Sequence, residues 1–361
     1  MMTPHCVRYP LYEASGSPRS LGRQHGDLAR VKIRSFVGYL CEILRIDEDE
    51  LGRRAKRFRP LFERHCPHLL EEIQGVAEGA DIPLDLALAS QLRGELGQLS
   101  EGACTTFVIG PRGTADGSTL IGQTSDMAND MRDFCYLLRL IPDDRPEVLM
   151  WTFGGQIGYH GLNAHGVAHF ANSLSGGPAW QFALSHYPLK RLILEQTNLA
   201  DVRRLMSAFR VCSNGNYVLC DGTGSFAGVE LTSSGPHFLE EAGSGFLVHT
   251  NHYLCAAHAC EANFALSLPD SFPRQSRMEQ LVRAGFGSHT VDSLKLILAD
   301  HVGYPLSICR HPHDGESHSM LPKTGHTVAA MIAEPNRGRL HFAAGNPCVV
   351  PFREYSLTSD V

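Results

Sequence analysis

Cys104 follows Ala103 inside the segment Glu101-Gly-Ala-Cys-Thr-Thr-Phe107, which offers a thiol as a candidate nucleophile. Small residues precede the cysteine and an apolar run follows it, so the pattern predicts a loop that enters a strand. A break between Ala103 and Cys104 would give one residue both a thiol nucleophile and a free amine to act as its base. Taken alone, a cysteine is more often a small buried apolar residue, and that alternative stays open here.

Two other polar residues stand at predicted strand ends. Asp126 closes Gly122-Gln-Thr-Ser-Asp126, where a carboxylate could orient an amine or cap the segment that follows. Asn251 lies in His249-Thr-Asn-His252, where its amide could donate to an oxyanion or close a turn. Both positions are therefore candidates for a site built around Cys104.

Arg310 follows Leu306-Ser-Ile-Cys and offers a planar guanidinium. Such a group can hold a substrate carboxylate, and a surface arginine beside a turn is the alternative. The sequence contains no phosphate-binding glycine loop, and we predict no resident cofactor. It also contains no serine-hydrolase elbow, so a serine nucleophile of that kind is not indicated.

A run of histidines and cysteines offers an alternative interpretation as a zinc module. Its members are His249, His252, Cys255, His258 and Cys260. No second pair of close ligands follows at finger spacing, and His311-Pro-His313 is typical of a loop, so we predict no metal.

Composition narrows the class of protein. The chain has 361 residues, is 43% hydrophobic and has a net charge of −6, which is an ordinary globular composition and does not favour a nucleic-acid binder. No apolar stretch is long enough to span a membrane, and the N-terminus has no apolar core of a secretory signal. The 11 cysteines lack framework spacing, so we expect reduced thiols in a cytoplasmic protein without nucleic-acid or membrane partners.

The pattern of apolar residues along the chain changes at Cys104. Helical spacing dominates before it, as in Leu28–Leu44 and Pro67–Ala77, whereas short apolar runs such as Val148–Phe153 and Tyr217–Cys220 alternate with turns after it. Helices return later, for example at Val291–His301. Runs of helices and runs of strands, without strict alternation, predict an α+β fold with antiparallel sheets.

Taken together, the motifs resemble the acyl-CoA:6-aminopenicillanic acid (isopenicillin N) acyltransferase family of N-terminal-nucleophile (Ntn) hydrolases. The resemblance spans nearly the whole chain in the family's order. It is carried by Gly16–Gly22 with His25-Gly26, Gly75–Ala80, Cys104-Thr-Thr106, His249–His252, and Ser307–Arg310 with Gly345–Cys348.

The resemblance implies a four-layer αββα sandwich made as an inactive precursor. The precursor would cut itself between Ala103 and Cys104 into residues 1–103 and 104–361, and the two subunits would stay associated as one composite domain. The implied catalytic residues are Cys104 as nucleophile, Asp126 as its acidic partner and Asn251 as oxyanion donor. Thr106 would line the site two residues along, and Ser125 and Arg310 are the other residues that we predict to bind the substrate.

The implied substrate is a small N-acyl amide or an acyl thioester, with acyl-CoA possible as a substrate. Two departures from the family's pattern bear on this. Ser125 stands where family members often have a tryptophan, and Ala103 stands at the cut where the penicillin enzymes have glycine. Three alternatives remain open: a choloylglycine- or acid-ceramidase-like amide hydrolase, a zinc-binding module, and a non-catalytic paralogue.

Overall fold

A computed structural model describes residues 8–97, 102–174, 176–241, 243–256, 270–312 and 325–357. Two sheets lie face to face, and helices cover both outer surfaces. This arrangement confirms the predicted α+β class and the order of its four layers. The family-implied boundary at 103/104 falls within this one packed unit rather than between separate bodies.

Over the described residues, the first sheet has eight strands in the order β1-β4-β5-β6-β7-β8-β9-β10. In this sheet, as far as the structure describes it, β1 and β4 pair in parallel and the other pairs are antiparallel. Its strands are β1 Leu11–Gly16, β4 Cys135–Pro142, β5 Val148–Phe153, β6 His160–Asn163, β7 Ala168–Ser173, β8 Gly215–Cys220, β9 Phe226–Thr232 and β10 Gly235–Leu239.

In the part of the chain that the structure describes, the second sheet has six antiparallel strands in the order β11-β2-β3-β12-β13-β14. Its central strands are buried on both faces, which explains why apolar and polar residues do not alternate regularly along them. The strands are β2 Ala103–Ile109, β3 Leu120–Ala128, β11 Phe246–His249, β12 Gly325–Glu334, β13 Arg339–Ala343 and β14 Arg353–Ser356. Strands β2 and β3 pack against β7 and β8 of the first sheet, which brings Cys104 to the interface of the sheets.

The helices form the two outer layers. They are α1 Pro18–Leu28, α2 Arg30–Leu44, α3 Glu48–Lys56, α4 Arg59–His65, α5 Pro67–Ala80, α6 Leu84–Ser90, α7 Arg93–Gly97, α8 His186–Leu194, α9 Leu199–Ala208, α10 Ser271–Ala284 and α11 Val291–Leu298. Helix α8 covers the first sheet, and α10 and α11 cover the second. Within the described ranges, no helix combines the length and apolar character needed to cross a membrane.

Several strands differ from the sequence-based expectation. Strand β1 lies in the segment expected to be mainly helical, and its parallel pairing with β4 ties that segment into the first sheet. The run Gly158–Gly161, whose glycines are typical of a tight turn, instead leads into β6. Strands β10 and β14 are short sheet edges, and edge strands need little apolar content, so their pattern is weak.

Helices α1 and α5 cross with their backbones in direct contact. Gly22 and Gly26 of α1 face Gly75 and Gly79 of α5. A Cβ built on Gly75 would lie 2.3 Å from the carbonyl oxygen of Arg19, and one on Gly79 would lie 2.0 Å from the carbonyl oxygen in the next turn of α1. These glycines are therefore required by close packing and not by a turn.

We expect Gly75→Ala to lower the free energy of unfolding by about 1–3 kcal/mol, because the added methyl group must push two helices apart. Gly38→Ala in α2 is the matched control, since nothing lies within 4 Å of a Cβ there. That variant should be neutral or more stable by up to about 1 kcal/mol, because alanine favours helix. Urea denaturation of both variants measures the difference, and equal midpoints would contradict the close crossing.

Candidate active site

Cys104 is the second residue of β2 and pairs with Ser125 of β3. Cys104 is only 4% exposed, and it lines a cavity of about 290 Å³. Ala103 pairs with Asp126 on the same two strands. The antiparallel register of β2 and β3 therefore brings the predicted nucleophile, the predicted cut and the predicted acid together.

The backbone nitrogen of Cys104 is held by a side chain that comes from far along the chain. Its N–H donates to Asn251 Oδ1 at 3.0 Å, and Arg274 Nη2 donates to the same oxygen at 2.9 Å. Asn251 Nδ2 donates to the carbonyl oxygen of Ser173 at 2.9 Å. Asn251 is thus fixed at both ends of its amide and points its oxygen at the nitrogen that a cut would turn into an amine.

The carbonyl group of Cys104 is held as firmly as its nitrogen. Asn172 Nδ2 donates to it at 3.0 Å, and Arg274 Nη1 donates to it at 2.6 Å. Thr106 and Asn216 both donate to Asn172 Oδ1, at 2.7 and 2.9 Å, which fixes the orientation of that amide. The main chain on both sides of the Cys104 side chain is therefore immobilised by buried hydrogen bonds.

The residue before Ala103 adopts a shape that favours glycine. Gly102 has φ of 85°, and a Cβ on it would lie 2.3 Å from the carbonyl oxygen of Asp126. Its own carbonyl oxygen accepts a hydrogen bond from Ser173 Oγ at 3.0 Å. The residue that leads into β2 is thus anchored by Ser173, next to Ala103.

The thiol itself is protonated near neutral pH in the intact chain. Burial, and to a smaller extent the charge of Asp126, raise the pKa of Cys104 to about 11. Ser125 Oγ lies 3.9 Å from the sulfur, and this contact lowers the pKa of Cys104. A base close to the sulfur is therefore needed before this thiol can attack a carbonyl group.

Asp126 is fully enclosed. Thr327 Oγ1 donates to its Oδ1 at 2.6 Å, whereas Oδ2 has no hydrogen-bond partner among the described residues. Burial raises the pKa of Asp126, and the guanidinium groups of Arg310 and Arg274 oppose that rise. A carboxylate with one unsatisfied oxygen is able to take up a proton during a reaction nearby.

Arg310 is buried, which excludes the alternative of a surface arginine. Its guanidinium contacts Asp270, which also accepts a hydrogen bond from Arg274 Nε at 2.9 Å. Arg310 is absent from the lining of the cavity that Cys104 borders, as are Thr106 and Ser125. The substrate-binding roles of these three residues stay predictions, and their observed contacts are with other protein groups.

The cavity wall combines aromatic rings with polar groups. Its members include Glu95, Tyr159, Trp180, His186, Lys190 and Tyr217. Lys190 Nζ lies 4.2 Å from the centre of the Tyr159 ring, a cation–π distance. The volume is close to the lower end of the range for small-molecule sites, so the space suits a small acyl compound.

A comparison with protein families decides the kind of enzyme. The family model described as acyl-coenzyme A:6-aminopenicillanic acid acyl-transferase matches residues 113–348, more than half of the chain. The chain belongs to this acyl-transferase family. Membership confirms the resemblance seen in the sequence motifs and the prediction of an enzyme that transfers acyl groups or hydrolyses amides.

One curated relative of this acyl-transferase family member matches most of the chain. The chain is 25% identical over 335 residues to the acyl-coenzyme A:6-aminopenicillanic-acid-acyltransferase 40 kDa form of Emericella nidulans, a match that covers 89% of this chain and 92% of the relative. Residue 104 lies outside the segment that the family model matches, so the role of Cys104 rests on the geometry above.

Solved structures with a likeness to the chain include a hydrolase and an acylase. A mutant of conjugated bile acid hydrolase from Clostridium perfringens has a TM-score of 0.49 at 12% identity, covering 72% of this chain and 98% of that one. Penicillin V acylase from Agrobacterium tumefaciens has a TM-score of 0.45 at 11% identity, covering 73% and 82%.

The zinc alternative at residues 249–260 is not supported by the described part of this acyl-transferase family member. His249 Nε2 lies 3.0 Å from Glu230 Oε1, and His252 Nδ1 lies 2.8 Å from Ser271 Oγ. Among the described residues these two histidines and Cys255 do not form a metal-binding group. His258 and Cys260 lie outside the described residues.

Three residues of the site were missed in the sequence: Asn172, Ser173 and Arg274. Asn172 and Ser173 end strand β7, just as Asn251 follows β11, so polar residues at a strand end were the available signal. Arg274 occupies the buried stripe of α10 together with Met278 and other apolar residues. A charged residue in such a stripe indicates a buried ion pair, here with Asp270.

Proposed function

We propose that this chain cuts itself between Ala103 and Cys104 and then uses the new N-terminal Cys104 to transfer or hydrolyse the acyl group of a small N-acyl amide or acyl thioester. The observation that carries the proposal is the fixation of Cys104 at the wall of a cavity. Asn251 holds its nitrogen, and Asn172 and Arg274 hold its carbonyl group. Supporting hydrogen bonds of this kind hold a functional residue in a defined geometry.

The first step is an acyl shift from nitrogen to sulfur. The thiol of Cys104 attacks the carbonyl carbon of Ala103, a carbon–sulfur bond forms and the peptide carbon–nitrogen bond breaks. The thiol proton ends on the departing amine. The oxygen of Asp126 that has no hydrogen-bond partner among the described residues is a suitable carrier for that proton. The hydrogen bond from Ser173 Oγ to the carbonyl oxygen of Gly102 holds the main chain next to Ala103 in place.

Water then hydrolyses the thioester and releases the carboxyl group of Ala103. The products are residues 1–103 and 104–361. Strand β1 remains paired with β4, and the helices of the first segment share one apolar core with the first sheet, which supports the expected association of the two subunits.

After the cut, the amine of Cys104 is the base. An ordinary α-amino group has a pKa of about 7.7–8.0 and a thiol one of about 8.5, so the proton transfer between them is nearly balanced. Asn251 Oδ1 accepts a hydrogen bond from this nitrogen in the intact chain, and the same contact would orient the amine. The thiolate then attacks the substrate carbonyl and forms an acyl-enzyme.

The oxyanion of that step needs donors. Asn251 Nδ2 has two N–H groups, and one of them donates to the carbonyl oxygen of Ser173. The other is within 3.3 Å of Ser173 Oγ, and it would donate to the oxyanion instead when the substrate reacts. A donor of this kind contributes about 2.7–4 kcal/mol. The acyl group then passes to water or to an amine, which distinguishes a hydrolase from a transferase.

Intact-mass spectrometry after incubation with a panel of N-acyl amides and acyl thioesters, including acyl-CoA, tests the proposal. We expect two chains, residues 1–103 and 104–361, with a trapped acyl group on the longer one. A single uncut chain, with no acyl adduct from any compound, would favour the alternative of a non-catalytic paralogue.

A further inference from the structure

A second group of reactive side chains lies away from the cavity. It consists of His301, Cys309, His311 and Cys348, whose ligand atoms all lie within 4.8 Å of one another. They come from two segments: His301, Cys309 and His311 lie in residues 299–312 after α11, and Cys348 lies between β13 and β14. None of the four lines the cavity that Cys104 borders.

The distances between the ligand atoms fit one tetrahedral metal ion. Cys309 Sγ and Cys348 Sγ lie 3.7 Å apart. Two thiolates bound to zinc at about 2.3 Å in a tetrahedron are separated by about 3.8 Å. His311 Nε2 lies 3.7 Å from Cys309 Sγ and 3.2 Å from Cys348 Sγ, and His301 Nε2 lies 3.0 Å from His311 Nε2.

We propose that His301, Cys309, His311 and Cys348 bind one zinc ion in a closed structural site. Two thiolates and two imidazoles form a donor set that zinc prefers, and the d¹⁰ ion accepts tetrahedral geometry without cost. Each ligand must be deprotonated, so two thiol protons leave when the ion binds. This site differs from the sequence-based expectation of no metal and from the zinc alternative at residues 249–260.

The surroundings of the four ligands suit a metal site. Asn346 Nδ2 lies 3.5 Å from Cys309 Sγ and donates to the carbonyl oxygen of Arg310 at 2.6 Å, the kind of outer contact that orients a thiolate ligand. Cys309 is buried, whereas His301 and Cys348 are exposed, so an ion can enter from solvent. A disulfide would need the two sulfur atoms about 2.05 Å apart, whereas those of Cys309 and Cys348 are 3.7 Å apart. A disulfide would also leave the imidazoles of His301 and His311 without an ion to bind.

The ion would fasten the segment that carries Arg310. The backbone N–H of Arg310 donates to Thr327 Oγ1 at 2.9 Å, and Thr327 Oγ1 in turn donates to Asp126. The guanidinium of Arg310 contacts Asp270, the partner of Arg274. Cys309 and His311 are the chain neighbours of Arg310. Zinc would therefore fix the position of Arg310 and so stabilise its contacts with Thr327 and Asp270.

Metal analysis of the purified full-length chain, produced in zinc-supplemented medium, tests the site. We expect about one zinc ion per chain and, after exchange for Co²⁺, the visible absorption of a tetrahedral cobalt thiolate. Cys348→Ser and His301→Ala, both at exposed positions, should each reduce bound zinc at least about fivefold. Cys41→Ser, a thiol outside the cluster, and Cys104→Ala should both keep the zinc of the wild type.

Three results would overturn the site. The first is a zinc-free wild type, and the second is full zinc retention in Cys348→Ser. The third is a non-reduced chain that lacks two hydrogens and contains a Cys309–Cys348 crosslinked peptide, which indicates a disulfide instead. Because Cys104→Ala should retain zinc, failure of the metal site and failure of the proposed catalytic function are distinguished by separate measurements.

Discussion

Replacement of Cys104 by alanine is expected to leave a single uncut chain of 361 residues with no measurable turnover. The variant has no thiol for the shift from nitrogen to sulfur, and it can form neither the N-terminal amine nor the acyl-enzyme. Loss of a nucleophile costs a rate factor of at least about 10³ in comparable enzymes. Denaturing electrophoresis and a turnover assay on the best substrate of the panel measure both effects.

Cys220→Ala is the matched control, because Cys220 is also buried in a strand and its thiol has no place in the cavity. It should be cut and active, with at most a modest loss of stability. Cys104→Ser retains a nucleophilic oxygen, so we expect slow cutting and much weaker turnover. Two chains and retained activity in Cys104→Ala would refute the proposed mechanism.

Asn251→Ala is expected to slow turnover about 10²–10³-fold, the usual effect of removing an oxyanion donor. It also removes the acceptor of the Cys104 N–H and of Arg274 Nη2, so self-cleavage should slow as well. The two unpaired buried donors should lower the free energy of unfolding by about 1–3 kcal/mol. Measurement of kcat on protein that has fully cut separates the catalytic effect from the effect on maturation.

A second substitution at Asn251 separates the two ends of its amide. Asn251→Asp keeps an oxygen that can accept from Cys104 and Arg274, but it removes the N–H donors that face Ser173 and the proposed oxyanion. If the donors matter most, this variant should be as slow as Asn251→Ala. Asn336→Ala, an exposed control, should behave as the wild type, and wild-type rates in both Asn251 variants would contradict the assigned role.

Much of the secondary structure could be predicted from local pattern. Val148–Phe153 is a strand as its apolar run predicts, and helix α2 ends at Leu44 as its spacing indicates. Strand β1 could not be predicted because its partner β4 lies more than a hundred residues away, and only that parallel pairing makes it a strand. Local propensity contains no information about such a partner.

The candidate site divides in the same way. Cys104, Asp126 and Asn251 could be named because each stands at a predicted strand end within a motif. Asn172 and Arg274 could not, because they reach Cys104 only when the two sheets stack and α10 covers β2. Burial of Arg310 was equally beyond the sequence, since its guanidinium contacts a carboxylate forty residues away rather than the cavity.

By itself, the sequence determined the α+β class, the family and a small set of polar residues grouped around Cys104, because these depend on residue type and spacing along the chain. Only the tertiary structure decided which atoms meet. It turned the oxygen of Asn251 toward the Cys104 nitrogen and brought the four zinc-ligand candidates within range of one ion. The physical reason is that strand register and sheet stacking set such distances, and both arise from contacts between segments that are remote in the chain.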